Sequence, residues 1–431
     1  MMRKNLSIRS YPSVRIGCLW KLAAYTLLAF AFAVPAQAGP LIKTTVYAWS
    51  ENRAIEPASL GRQRVEPALA SDKEGRVWLS FLDTVYHQLP NQKWIAWPRK
   101  VPLYLSQDDG THFQEQTPLS MTGGDESLTP NPAGGIFGSW IQYGYDTSHR
   151  LKQQAMLASF GGALLLAPTP CLLWDDTATA HDQTNVYGGP DGIVRLLAIN
   201  IHPRSKSRMA VYYARWDATS KQCVDRQSLP PVGELPQMAA SHGRVLIIGP
   251  TGYLVSRDNG ASFELKPYRF ADKLARIATS PDGQTVYVVG DAVSGGLVLY
   301  ASDDGGDTWH HSRVDDASTA SAWRFPAIHV EPSGRTHVIW MDDRNGGGAL
   351  YHAYSDDHGR TFSHNDKISD AAFPFPKDAP PPPPANQNGT WVGDYLALTS
   401  VHGKLIAAWS DQRAGFTQSA IYVSVGAAHT E

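Results

Sequence analysis

Two octapeptides in this chain nearly repeat one another. Ser302 to Trp309 reads SDDGGDTW, and Ser355 to Phe362 reads SDDHGRTF. Looser relatives are SQDDGTHF from Ser106 and SRDNGASF from Ser256. The last two starts are roughly 50 residues apart and the first gap is about three such units. An internal period of about 40–50 residues in a strand-rich chain is the mark of a β-propeller. The conserved positions are Ser302, Asp304, Gly306, Thr308 and Trp309; Ser355, Asp357, Gly359, Thr361 and Phe362; Ser256, Asp258, Gly260 and Phe263; and Ser106, Asp108, Gly110 and Phe113. Asp and Ser side chains accept backbone N–H groups in a turn, glycine supplies the strained dihedral, and the aromatic packs inward. A calcium loop would repeat its ligands at the positions that here vary among His, Arg and Thr, so no metal is expected.

A second unit has the same period. It reads as an apolar strand, a polar turn ending in glycine, and a strand often ending in Trp and Asp. PALASDKEGRVWLSFLD starts at Pro67, PAIHVEPSGRTHVIWMDDR at Pro326 and DYLALTSVHGKLIAAWSDQR at Asp394, with degenerate copies at Pro130, Val186, Gln237 and Ile277. The pattern predicts an all-β propeller of seven four-stranded blades near 65–113, 127–168, 183–229, 234–267, 273–314, 321–369 and 391–426. Six is the alternative count. The last blade shows three strands. TTVYAWS, Thr44 to Ser50, is a lone strand able to supply the fourth and close the ring, leaving no open sheet edge.

Composition sets the remaining bounds. Of 431 residues, 37 are Gly and 30 are Pro, and 13 Trp and 18 Tyr stand among them. Many turns and many aromatics favour β structure. A net charge of −2 gives no general reason to expect nucleic acid as a partner. Residues 1–38 read as a signal peptide: a basic stretch, an apolar run from Leu22 to Val34, and Ala36-Gln37-Ala38 at the cleavage point. Residues 39–431 form the propeller, expected in the periplasm or outside the cell with no integral membrane segment. Cys171 and Cys223 remain after cleavage, and an exported chain with two cysteines suggests a disulfide. No Cys/His cluster has zinc spacing, and no cofactor is implied. KDAPPPPPANQNG, Lys377 to Gly389, reads as a stiff polyproline loop; docking of a protein partner is its alternative role.

The pattern S-x-D-x-G-x-T-[WF] resembles the Asp-box, or bacterial neuraminidase repeat, of the sialidase superfamily. The match is complete at 302 and 355; Ser262 and His112 replace Thr in the other two. The resemblance spans most of the mature chain. It implies a propeller whose Asp-boxes occupy the turn between strands three and four, on the face opposite the usual site. Candidate site residues are then those before strand one or after strand two: Arg64, Glu66, Asp83, Tyr143, Tyr145, Asp146, Glu234, Arg324, Asp342, Asp343, Arg344, Trp391, Asp394, Tyr395, Asp411 and Arg413.

The family's chemistry uses three arginines on a substrate carboxylate, an Asp acid, and a Tyr nucleophile activated by Glu. RVEPAL resembles its opening and offers Arg64. ELPQMAASHG offers Glu234, YLAL offers Tyr395, and Arg344 could be the third arginine. The acid is missing: Lys100 stands near its place, and Asp83 is a substitute. An arginine is also missing near Pro250. Arg324, Arg413, Trp391 and Asp394 complete the proposed binding set, because Arg clamps a carboxylate bidentately and aromatics stack on sugar rings. The expected function is glycan-directed: a diverged sialidase-like glycoside hydrolase acting on acidic sugars, or a carbohydrate-binding propeller. The alternatives are a non-catalytic scaffold and a polysaccharide lyase using His149, His181 or His202. W-x-D-x-R, present twice in register, has its own alternative as a structural repeat.

Overall fold

The computed structural model describes residues 45–59, 61–88, 94–145, 151–162, 167–171, 173, 180–189, 191–201, 210–272, 274–292, 295–318, 322–374, 392–415 and 418–430. The expected signal peptide, the Pro-rich segment from Lys377 to Gly389, Trp391, Asp146, His149 and His202 lie outside them.

Seven antiparallel sheets follow one another along the chain, and in blades 2 to 6 each has four strands in sequence order. Blade 1 runs from Arg62–Ser71 through Val77–Gln88 and Leu103–Ser106 to Gln114–Glu115. An added strand, Trp94–Lys100, pairs with the far half of Val77–Gln88. Blades 2 to 6 start at Gly123–Pro130, Ala180–Gly188, Gln237–Ser241, Ala275–Thr279 and Trp323–Val330. The seven-blade count therefore holds, including the short fourth blade. Blade 7 contains Ala397–Val401, Lys404–Asp411 and Ala420–Thr430, and its fourth strand is Thr45–Trp49. The register runs from Thr45 opposite Thr430 to Trp49 opposite Gly426. The N-terminal strand thus closes the ring, and no blade edge is left open there.

The core is distributed. Apolar clusters bridge consecutive blades, as where Leu197 and Tyr213 of blade 3 meet Met238 and Ile247 of blade 4. Each buried Leu or Ile contributes roughly 1.5–3 kcal/mol. Because sheets pack face to face around a ring, apolar side chains fill the gaps between blades. The axis is left to the innermost strands. Cys171 and Cys223 are joined by a disulfide between the outermost strands of blades 2 and 3, Cα to Cα 5.3 Å.

The octapeptides form the turns between strands three and four of blades 1, 4, 5 and 6. In blade 6 the Ser355 hydroxyl donates to Asp357 (2.8 Å) and accepts the Gly359 N–H (2.9 Å). Asp357 also accepts the N–H groups of Arg360 and Thr361 and the Thr361 hydroxyl (2.6 Å). Where the pattern departs from Thr, the bond survives. The Ser262 hydroxyl reaches Asp258 at 2.6 Å, and the His112 ring nitrogen lies 2.7 Å from Asp108. Hydrogen bonds from the Ser262 hydroxyl and N–H hold Asp258 down to about 2.

These turns also dock on the preceding blade. Ser312 of blade 5 donates to the Gly359 carbonyl, Tyr253 of blade 4 to that of Gly306, and Gln227 of blade 3 to that of Gly260. Gly359 has φ 76°, and a Cβ placed there would fall 2.2 Å from Leu299 Cδ2 of blade 5. Glycine is needed at this position for both the dihedral and the clearance.

Candidate functional site

The innermost strands are irregular where they meet the axis. Bulges interrupt their pairing with strand two between Val65 and Ala68, Gly124 and Ser127, Asp182 and Asn185, and Arg324 and Ala327. Each bulge holds one non-glycine residue at positive φ: Glu66 at 61°, Asp125 at 57°, Gln183 at 55° and Phe325 at 53°. Such residues cost of order 1–3 kcal/mol each and cluster where a fold aims side chains for a purpose. A bulge breaks strict alternation, so neighbouring residues can serve the same side of the strand.

These strands enclose an axial channel with a cavity of about 250 Å³, lined by residues from all seven blades. Glu126, Gln183, Asn185, Gln237, Arg276 and Tyr395 supply much of its polar wall. Tyr395 is reached through Gly393, which has φ 89°; a Cβ there would fall 2.5 Å from Glu66 Cγ. The loop into blade 7 therefore closes directly on the bulge of blade 1. The Arg276 guanidinium lies 5.7 Å from the Tyr395 ring centroid and donates to the carbonyls of Ala275 (3.1 Å) and Asp394 (3.3 Å).

Carboxyls crowd this end of the channel. Asp182 and Asp125, from neighbouring blades, bear on one another, and Asp125 favours the protonated form of Asp182. The Tyr143 hydroxyl donates to Asp125 at 3.1 Å. Burial, reinforced by Asp125, pushes Asp182 well up. Burial followed by the charges of Asp394, Asp125, Glu126 and Asp182 does the same to Glu66. Burial raises Glu126 too. The Tyr395 phenol is raised by burial, then by Glu66, Glu126 and Asp125, and so holds its proton. Burial brings Arg276 down to about 10 against the pull of Tyr395, Asp394 and Glu66, leaving it charged at neutral pH. Among the described residues no group of three His, Cys, Asp or Glu side chains could hold a metal ion.

The raised carboxyls set a stability prediction. Glu126 releases its proton near the ordinary carboxylate value when unfolded and well above it when folded. Wild-type stability is therefore lost as pH rises between those points, by about 1.4 kcal/mol per pH unit at most. Glu126→Gln does not titrate. Its stability relative to wild type should rise from pH 4.5 to pH 8 in urea melts. A pH-independent difference would refute the assignment.

The residues singled out from sequence are split among several places. Tyr395 and Asp394 are in the channel cluster. Among the described lining residues, Arg64, Glu234, Arg344 and Arg413 do not appear. Arg64 is buried, bonded to Glu56 (2.5 Å) and the Pro57 carbonyl (2.9 Å), with Asp83 at 3.8 Å. Asp83 pairs with Arg62; burial raises it against that partner. Glu234 is half-buried ahead of blade 4. Arg324 lies in a bulged strand, and its side chain is outside the described part. His181 is buried beside Tyr212.

The two W-x-D-x-R segments are built alike. Asp342 accepts from the Trp340 indole (3.0 Å) and from Arg344, which stacks 4.0 Å above Tyr351 and reaches Asp316 at 2.7 Å. Asp411 accepts from Trp409 (2.9 Å) and Arg413, which stacks 4.1 Å above Tyr422 and reaches Asp370 at 2.6 Å. Asp316 and Asp370 lie in the segments that precede blades 6 and 7. In both segments the arginine ties strand two to the incoming connection.

Asp125, Glu126, Asp182 and Arg276 were not singled out by sequence reasoning. Each stands at the start of an innermost strand, the position the propeller rule favours. The bulges begin those strands upstream of the apolar repeat unit, so a reading that starts from the unit misses them.

The fold and channel define a seven-bladed β-propeller with a carboxyl-rich axial site. No known family profile matches the sequence, and no curated protein matches it. A protein of unknown function from Dyadobacter fermentans DSM 18053 is similar in structure. It is 11% identical, with a TM-score of 0.54 over 89% of this chain and 99% of that one. That likeness shows the fold. The Hadza microbial sialidase Hz136 is 12% identical, with a TM-score of 0.46 over 86% of this chain and 68% of its own. Trypanosoma rangeli sialidase, solved with the inhibitor DANA, is 10% identical, with a TM-score of 0.42 over 88% and 59%.

Proposed function

We propose that this chain is an exported, glycan-directed propeller that cleaves a glycosidic bond at the carboxyl-rich end of its channel. The observation carrying this reading is the meeting of Tyr395, Glu66 and Arg276 with the acids Asp125 and Asp182 of neighbouring blades. Asp182 gives its proton to the leaving oxygen while the Tyr395 oxygen attacks the anomeric carbon. Glu66 takes the phenolic proton, and a carboxyl raised by burial and neighbouring charges is the stronger base once ionised. Water, deprotonated by Asp182, then attacks the anomeric carbon, the bond to the Tyr395 oxygen breaks, and Glu66 returns its proton to that oxygen. The two cysteines, bonded in the fold, and the A-x-A leader support export.

Purified protein should release sugar from a panel of aryl glycosides that includes sialosides and other acidic glycans. Asp182→Asn and Tyr395→Phe should each lower the rate by roughly 100-fold or more. Neither release nor binding across the panel would overturn the reading and favour a scaffold. A second reading, binding without cleavage, is favoured by the raised Tyr395 phenol, which resists becoming a nucleophile. It predicts saturable binding that Tyr395→Phe leaves intact.

A further inference from the structure

The channel floor contains two buried acceptors without donors. Glu126 is 2% exposed and lines the cavity, and neither of its carboxyl oxygens has a hydrogen-bond partner. Gln183, on the next blade, is 4% exposed and lines the same cavity, and its Oε1 is also without a partner. Unpaired acceptors at this depth are costly, and a donor arriving from the channel would recover that cost. Nearby, Asn185 donates to Gln237 at 3.3 Å, so that amide pair is already matched.

The titratable groups around Tyr395 are mostly acids. Glu66, Asp125, Asp182 and Asp394 surround the cluster at Tyr395, and the cation described among them is Arg276. Arg276 gives two of its five N–H groups to backbone carbonyls and lies near the Tyr395 ring, so its planar fork is partly committed. Arg64, Arg344 and Arg413 are held by Glu56, Asp342 and Asp411. An acidic sugar entering here would meet carboxyls, and among the described side chains the arginine lining the cavity is Arg276, already partly committed to backbone carbonyls.

We propose that the channel takes a glycosyl unit bearing a primary ammonium, an amino sugar, in preference to one bearing a carboxylate, with the ammonium donating to Glu126 and Gln183. This rests on the glycan reading above and specifies its substrate class. An ammonium carries three donors for these acceptors and offsets the surrounding negative charge. Glu126 loses its proton to solvent as the ammonium binds, so binding releases a proton.

The test is calorimetric titration of the whole protein near pH 6.5 with three matched series. These are glucosamine and galactosamine, then glucose and galactose, then glucuronate, galacturonate and N-acetylneuraminate. Amino sugars should bind at least roughly 10-fold tighter than their neutral parents, the equivalent of about 1.4 kcal/mol, and acidic sugars weakest. Proton release, read from buffers of different ionisation enthalpy, should accompany amino-sugar binding alone. Glu126→Gln should cut the amino-sugar preference to within about 3-fold and abolish the proton release. Tighter binding of the acidic series overturns the inference and leaves the glycan reading standing. Binding of none overturns both. An unchanged preference in Glu126→Gln also overturns the inference.

Discussion

Replacing Gly359 by alanine should destabilise the protein by about 2–4 kcal/mol in urea melts, and most of that loss should come from a neighbouring blade. Two costs add. The left-handed φ of 76° penalises any side chain by about 1 kcal/mol. The new Cβ would also fall 2.2 Å from Leu299 Cδ2, and Leu299 is wholly buried with little room to turn aside. Overpacking of that kind typically costs 1–3 kcal/mol. Gly334 supplies the control: its φ is 90°, and nothing lies within 4 Å of a Cβ placed there. Gly334→Ala should show the dihedral cost alone, about 1 kcal/mol. Trimming the obstruction with Leu299→Ala should make the pair of changes less than additive at 359 and additive at 334. Equal losses at the two glycines would remove the inter-blade docking argument.

Acid should destabilise the joint between blades 6 and 7. His337 Nδ1 and His352 Nε2 lie 3.0 Å apart, both wholly buried, under Tyr47 of the ring-closing strand. Glu331 stands 3.6 Å from His337, Asp366 stands 3.7 Å from His352, and Arg335 lies over Tyr354. Burial first, then the charge of His352, depresses His337 to about 3 despite Glu331. Burial likewise lowers His352, and brings His329 to about 4. All three groups are neutral in both states above pH 6.5. Below it the unfolded chain takes up protons that the fold refuses, so stability is lost as pH falls from about 6.5 toward the folded values. At pH 4 this amounts to on the order of 3 kcal/mol for His337 alone. The channel carboxyls titrate in the opposite sense, so the test is a difference. His337→Gln should close on or overtake wild type between pH 7 and pH 4.5 in parallel urea melts. Parallel pH profiles would sink the assignment.

The scaffold was legible in the sequence because it repeats. Ser, Asp and Gly recur at fixed offsets because each turn solves the same docking problem against the previous blade. Closure by TTVYAWS was legible because one blade lacked a strand. The candidate site was legible at Tyr395, Asp394, Glu66 and Tyr143. Arg344 and Arg413 drew attention through their twice-repeated motif, and each is anchored to its own Asp. The groups that gather in the channel differ from blade to blade: Glu66 in the first, Asp125 and Glu126 in the second, Asp182 in the third, Arg276 in the fifth, Tyr395 in the seventh. A ring built from copies acquires a directional site only where the copies diverge, and one sequence does not mark those places by pattern. The bulges that aim them arise from pairing between strands, which no local run of residues specifies.

The closing strand has a consequence in time. Thr45–Trp49 is made among the first residues of the propeller, yet its partner is Ala420–Thr430, Trp49 lying opposite Gly426. At about 5–20 residues per second, that strand waits roughly 20–75 s before its hydrogen-bonding edge has anywhere to go. Blades 1 to 6 can each form as soon as their own strands are complete, but the circle cannot. A growing chain is therefore held open until its final strand arrives, and any truncation inside Ala420–Thr430 leaves the first strand of the propeller as an unpaired edge.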